Sequence, residues 1–177
     1  MKNILYVFPE AELWVKPYKD HGYNILTQNT VKPWDNIHGL LMVPPYDSFS
    51  NAGHKGWNHR DEVGITTTAV NEAQKAFNLV QLYSPIFWAV AGPVGRMQRL
   101  LSIPDPVLRF NPNDYGDDYR RRINIWGVFN IPPKTPRRLP TLNQDAKDIL
   151  RIAGQSKKIP KTLIPPKFAE EFMKANP

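Results

Sequence analysis

Ile37-His38-Gly39-Leu40-Leu41-Met42-Val43-Pro44-Pro45 is the stretch that decides the fold. A short, nearly continuous apolar run closed by two prolines, which cannot donate to a sheet ladder, reads as a strand buried on both faces. The same character recurs outward from it. Asn3 to Phe8 is apolar and ends at Pro9, Tyr23 to Thr27 follows Gly22, and Ile86 to Val90 follows Ser84-Pro85. Short buried strands separated by helix-length or loop-length spacers predict a parallel sheet in an α/β domain.

The spacers read less sharply. Residues 10–21 are amphipathic but weakly helical, because Pro17 removes a backbone donor. Residues 46–66 mix polar, glycine and aromatic residues without periodicity and are expected to form a long loop. Val70, Ala73, Phe77 and Val80 keep helical spacing, so a helix is expected over 68–83, capped by Thr66 or Thr67. Prolines 104, 106 and 112 predict a loop region. Ile123 to Phe129 alternates with period two and reads as a strand with one polar face. Residues 132–140 hold four prolines and read as an extended linker. A short helix is expected over 143–153, and an amphipathic one over 166–175 with Phe168, Phe172 and Met173 on one side. There is no internal repeat. The expected organisation is one domain: an α/β core over 1–130, a proline-rich basic connector over 131–160, and a C-terminal helix within 161–177 packing back on the core.

Composition narrows the function classes. The 177 residues suit one domain, and 41% hydrophobic with 11% aromatic residues supply a real core, which excludes disorder as the ground state. No apolar run reaches the roughly 18–20 residues of a bilayer span. Met1 to Pro9 lacks a small-residue cleavage site and is not expected to be a secretory signal. The chain has no cysteine, which removes disulfides, zinc thiolate sites and any thiol nucleophile. A reduced intracellular setting is expected. The four histidines, 21, 38, 54 and 59, show no metal-ligand spacing, so no metal is expected. Trp14, Trp88 and Trp126 are core candidates, whereas Trp34 and Trp57 lie in polar segments and are candidates for stacking on a base.

The net charge is +7, and it is unevenly placed. Residues 1–118 hold 10 Lys+Arg against 12 Asp+Glu; residues 119–177 hold 13 against 4. The excess is clustered at Arg120-Arg121-Arg122, Arg137-Arg138 and Lys157-Lys158. Such a surface attracts polyanions through counterion release and steering, and it equally serves as a solvated face.

In order along the chain, six segments resemble the small, mostly phage-encoded branch of the cytosine-C5 DNA methyltransferase-like family. They are Phe8 to Tyr18 followed by Gly22-Tyr23; Pro44-Pro45-Tyr46-Asp47-Ser48-Phe49-Ser50 with Trp57 and Asp61; and Phe87-Trp88-Ala89-Val90-Ala91-Gly92-Pro93-Val94-Gly95-Arg96. The others are Asn111-Pro112-Asn113-Asp114-Tyr115-Gly116; Tyr119-Arg120-Arg121-Arg122-Ile123-Asn124-Ile125-Trp126-Gly127; and Ile164 to Asn176. The resemblance implies a Rossmann-like methyltransferase sheet, truncated, with mostly parallel strands flanked by helices. It also implies a cytoplasmic setting in a host cell.

The departures from that family carry the functional expectation. The position of the family's catalytic cysteine is Tyr46, and a phenol adds poorly to a pyrimidine ring. Tyr46 is expected to be a half-buried ring filling an old pocket. The Glu-Asn pair of the family is Ala91-Gly92, which offers no side-chain acid. The glycines of the family's cofactor turn are Glu10, Glu12 and Leu13, so no S-adenosylmethionine and no other cofactor is expected. The resemblance therefore implies a catalytically inactive relative that acts by binding. The partners it implies are DNA or another nucleic acid, or a protein, including a second copy of the chain; no membrane is implied. The nucleic-acid candidates are Arg96, Arg120, Arg121, Arg122, Arg137, Arg138, Lys157 and Lys158. Arg96 and Arg122 have a second reading, as salt-bridge partners of Asp61, Asp114 or Asp117. Two other functional readings stay open: an active methyltransferase with altered chemistry, and a phage structural or assembly protein on the same fold.

Overall fold

The computed structural model describes residues 1–117, 119–135 and 163–177. Six strands form one sheet: β1 (Asn3–Val7), β2 (Asn24–Thr27), β3 (Ile37–Met42), β4 (Phe87–Pro93), β5 (Leu108–Phe110) and β6 (Ile123–Val128). Their order is β2-β1-β3-β4-β6-β5. β2, β1, β3 and β4 run parallel, whereas β6 runs antiparallel to both β4 and β5. The chain moves out from β1 to β2, then returns to place β3 on the far side of β1. This is a truncated Rossmann-like sheet, mixed α/β, with its order reversing between β1 and β3.

Helices α1 (Glu12–Asp20) and α5 (Pro166–Ala175) cover one face, and α3 (Ile65–Tyr83) and α4 (Met97–Leu101) the other. Side chains alternate between these two layers with the strand period of two. Ile4 and Leu41 pack with Trp14, Phe87, Phe168 and Phe172. Their neighbours Leu5 and Leu40 pack with Ala69, Ala73, Met97 and Trp126. The alanines on the buried stripe of α3 let its backbone lie close to the sheet.

α1 forms in spite of Pro17, since Trp14, Val15 and Tyr18 bury one face of it and tertiary packing outweighs one lost helical hydrogen bond. α5 closes the core with an aromatic cluster. Phe168 stacks on Phe110 at 4.2 Å between centroids, and Phe172 meets Trp14 edge-on at 5.0 Å. Asn176 then locks the end of the helix. Its Oδ1 accepts from the Asn130 N–H at 2.7 Å and its Nδ2 donates to the Asn130 carbonyl at 2.9 Å. The Tyr18 hydroxyl donates to the Asn176 carbonyl at 2.9 Å, and burial holds that phenol well above its usual pKa.

Several sequence expectations are corrected. Residues 46–66 are not one loop: a 3-10 turn over Asn51–Gly56 leads into α2 (Trp57–Glu62), and α3 begins at Ile65. These turns expose most of their surface, so they carry no apolar period to read. The residue entering α3 is Gly64 at φ +78°, a conformation that favours glycine, and Thr66 and Thr67 lie inside the helix. α4 and β5 replace parts of the proline-punctuated loop, both being too short for periodicity to reveal. β4 runs on through Ala91-Gly92-Pro93. The expected helix over 143–153 and most of the expected connector over 131–160 lie outside the described residues.

Among the described residues, no helix is long and apolar enough to cross a membrane. Phe168 touches Trp14, Phe110, Tyr115 and Phe172. Phe168→Ala is therefore expected to lower stability by about 3–5 kcal/mol, read as a reduced urea midpoint with an unchanged slope.

Candidate functional site at the carboxyl edge of the sheet

Open α/β sheets bind ligands outside the carboxyl ends of their strands, at the reversal of strand order. Here that edge carries the turn after β1, the loop after β3 and the segment after β4. The antiparallel β6 adds a fourth part. Ile123 pairs with Pro93, so the run Arg120-Arg121-Arg122 enters the sheet at this same edge.

Arg96 builds the edge. The residue is 7% exposed, and its guanidinium donates to Asp61 through both Nη1 (2.7 Å) and Nη2 (2.8 Å). Nη2 also donates to Thr66 Oγ1 at 2.9 Å, and Nε donates to the Ser48 carbonyl at 2.8 Å. The Trp57 ring lies 4.5 Å from the guanidinium carbon. One cation thus ties the loop after β3 to α2 and α3. The backbone adds to this knot: the Arg96 N–H donates to the Phe49 carbonyl at 2.9 Å and the Asn51 N–H to the Val94 carbonyl at 3.0 Å. Gly95 permits that approach, since a Cβ there would stand 1.9 Å from the Phe49 carbonyl oxygen.

Two expectations are corrected by this geometry. Arg96 is not part of an exposed basic surface; its Nε, Nη1 and Nη2 each donate inside the protein, and the salt-bridge reading with Asp61 holds. Trp57 is half-buried under that guanidinium rather than presented to a base. Trp34, in contrast, is 80% exposed. Asp114 faces Lys134 at 3.4 Å and accepts from the Asn111 N–H.

Tyr46 is half-buried against the α1–α5 core, with the Arg121 guanidinium carbon 5.3 Å from its ring centre. Ala91 is wholly buried in that same core. Gly92 points the other way into occupied space: a Cβ there would stand 2.5 Å from Met97 Sδ and 2.9 Å from the Trp126 ring. Met97 and Trp126 were not legible as site residues, since they reach Gly92 through tertiary packing from α4 and β6.

The turn after β1 does not fit S-adenosylmethionine. Phe8 adopts φ +74°, a strained value for a residue with a side chain, and its carbonyl accepts from the Ala11 N–H. Pro9 has no N–H to offer. Glu10 and Glu12 put exposed carboxylates on this turn, which would repel the carboxylate of S-adenosylmethionine, and Leu13 is 39% exposed on α1.

Of the basic candidates, Arg120 and Arg122 are exposed and Arg121 is half-exposed over Tyr46. Arg137, Arg138, Lys157 and Lys158 lie outside the described residues. Beside the arginine run, burial raises the Asp117 carboxyl, an effect opposed by Lys167, whose backbone N–H it accepts. Burial likewise pushes the Tyr119 hydroxyl up to about 12. Among the described residues, no group of three or more His, Cys, Asp or Glu side chains is placed to hold a metal.

No family model matches the chain. No curated protein matches it either. Among solved structures, it is similar to a protein assigned as a DNA modification methyltransferase encoded within an E. coli prophage, at 14% identity and a TM-score of 0.48. The match covers 80% of this chain and 56% of that one, so this chain spans about half of that structure's length.

Two outcomes test the Arg96 knot. Gly95→Ala is expected to destabilise by about 1–3 kcal/mol, because the backbone it would strike cannot swing aside; thermal unfolding checks it. The Arg96 and Thr66 hydrogen bonds lower Asp61 from 3.8 to about 2. A depressed carboxyl contributes stability above its unfolded pKa, and loses it as pH falls through the folded value. The Asp61 contribution is therefore expected to be complete above about pH 4 and to fade toward pH 2. Asp61→Asn should flatten that part of the acid-unfolding profile.

Proposed function

We propose that this chain is a methyltransferase-like scaffold that binds nucleic acid at the carboxyl edge of its sheet and does not transfer a methyl group. The observation that carries the reading is the position of Arg120 and Arg122, exposed where β6 enters the edge. Phosphate contacts need cations that water can reach, and this run supplies them in the segment that leads into β6 at Ile123. Arg96 is left out of the binding set. Arg137, Arg138, Lys157 and Lys158 remain in it on their charge alone.

The residues present support the absence of methyl transfer. No thiol exists to add to a pyrimidine. Tyr46 is packed against the core and Arg121, Ala91 carries no acid, and the space beside Gly92 is taken by Met97 and Trp126.

Fluorescence anisotropy of labelled duplex and single-stranded DNA, titrated across a series of KCl concentrations, tests the proposal. Affinity is expected to fall linearly on a log–log plot. Arg120→Glu with Arg122→Glu should reduce the magnitude of that slope by about 2, near one counterion per lost contact. A flat salt dependence, or an unchanged slope in the double variant, contradicts it.

A further inference from the structure

α5 opens without a cap of its own. Pro165 stands at the N-cap with no side-chain acceptor, and Pro166 begins the helix. The first hydrogen bond inside the helix runs from the Ala169 N–H to the Pro165 carbonyl at 3.0 Å. The Lys167 and Phe168 N–H groups therefore have no partner within the helix and mark its positive end.

A residue from another segment supplies the missing cap. The Asp117 carboxylate accepts from the Lys167 N–H, while its Oδ2 is buried without a partner. Burial and Glu170 disfavour its charge; the Lys167 ammonium and N–H favour it. The backbone seats Asp117 as well. Gly116 turns the chain at φ +93°, and the Asp117 N–H donates to the Pro112 carbonyl at 3.2 Å. Gly116 also lies against Lys167, since a Cβ there would stand 3.4 Å from Lys167 Cδ. Two residues on, the Tyr119 hydroxyl is buried, and the Asp117 charge adds to the effect of burial in raising it. Arg120 follows directly. Downstream, the run is held where Arg121 lies over Tyr46 and where Ile123 enters β6 opposite Pro93.

We propose that Asp117 is a positioning residue for the arginine run: by capping α5 it fixes the upstream end of the segment that presents Arg120 and Arg122. The inference rests on the reading of that run as a nucleic-acid contact, and it adds a requirement that charge alone does not make. Asp117 is an acid three residues from Arg120. As a charge it opposes a polyanion, and any neutral substitution strengthens the attraction. As a tether it favours the polyanion, because it holds the cations in place, and its capping oxygen matters more than its charge.

Two substitutions in the whole chain separate these roles. Asp117→Asn and Asp117→Ala remove the same charge, and only Asn keeps a capping oxygen. Asp117→Ala should still fold, with a melting temperature lower by about 2–4 °C. In the anisotropy titration with DNA, Asp117→Asn is expected to keep the wild-type salt slope and to bind at least as tightly. Asp117→Ala is expected to bind about fivefold more weakly and to lose about 1 from the magnitude of the slope, as fewer phosphates are met at once. Limited trypsin digestion reads the tether without nucleic acid. Cleavage after Arg120, Arg121 or Arg122, followed by fragment mass, should be about fivefold faster in Asp117→Ala and unchanged in Asp117→Asn. An Ala variant that binds like the Asn variant with the same slope, or that is cut at the wild-type rate, overturns the proposal. A wild type without salt-dependent binding sinks the nucleic-acid reading instead, and the cleavage rates of the two variants then decide the tether by themselves.

Discussion

A buried guanidinium governs the functional edge of this protein. Taking a cation out of water costs far more than most interactions return, and the cost is offset only when the charge is paired and its donors are filled. Arg96 meets those terms with a bidentate carboxylate, a threonine hydroxyl, a backbone carbonyl and a tryptophan face. The loop after β3, the helix pair α2–α3 and the segment after β4 take their positions from that requirement. Gly95 belongs to the same constraint, because the Phe49 carbonyl comes so near that no side chain fits.

The consequence is an edge that is well held by its own side chains. The residues of the family resemblance that find a geometric role are structural: Gly95 and Arg96 in the knot, Trp126 beside Gly92, and Phe168 and Phe172 in the aromatic core. The positions where the family does chemistry hold Tyr46 against the core, a buried Ala91 and a Gly92 with no free space. The scaffold keeps its own interactions whether or not anything reacts at its edge, and Arg120 and Arg122 stay exposed where β6 begins.

Legibility in the sequence followed the length and burial of each element. β1, β3 and β4 were plain because both faces are buried and prolines bound them. α5 was plain because Phe168, Phe172 and Met173 share one side. α2 was hidden, since none of its residues is buried, and β5 is three residues long. The direction of β6 had no sequence signal, because alternation reads the same in either orientation. At the site, residue types showed a chain without cysteine and an Ala91-Gly92 pair, and the Arg96–Asp61 pair was one of two readings left open. What decided between them was burial, which depends on Trp57, Thr66 and Ser48 arriving from other segments. The space beside Gly92 was beyond reach for the same reason.

The central claim is that this edge is held by its own side chains and has no seat for the methyl donor. Isothermal titration calorimetry of the chain with S-adenosylmethionine tests it most directly. The account predicts no saturable heat up to millimolar cofactor. Stoichiometric binding in the micromolar range, about −8 kcal/mol, would contradict it.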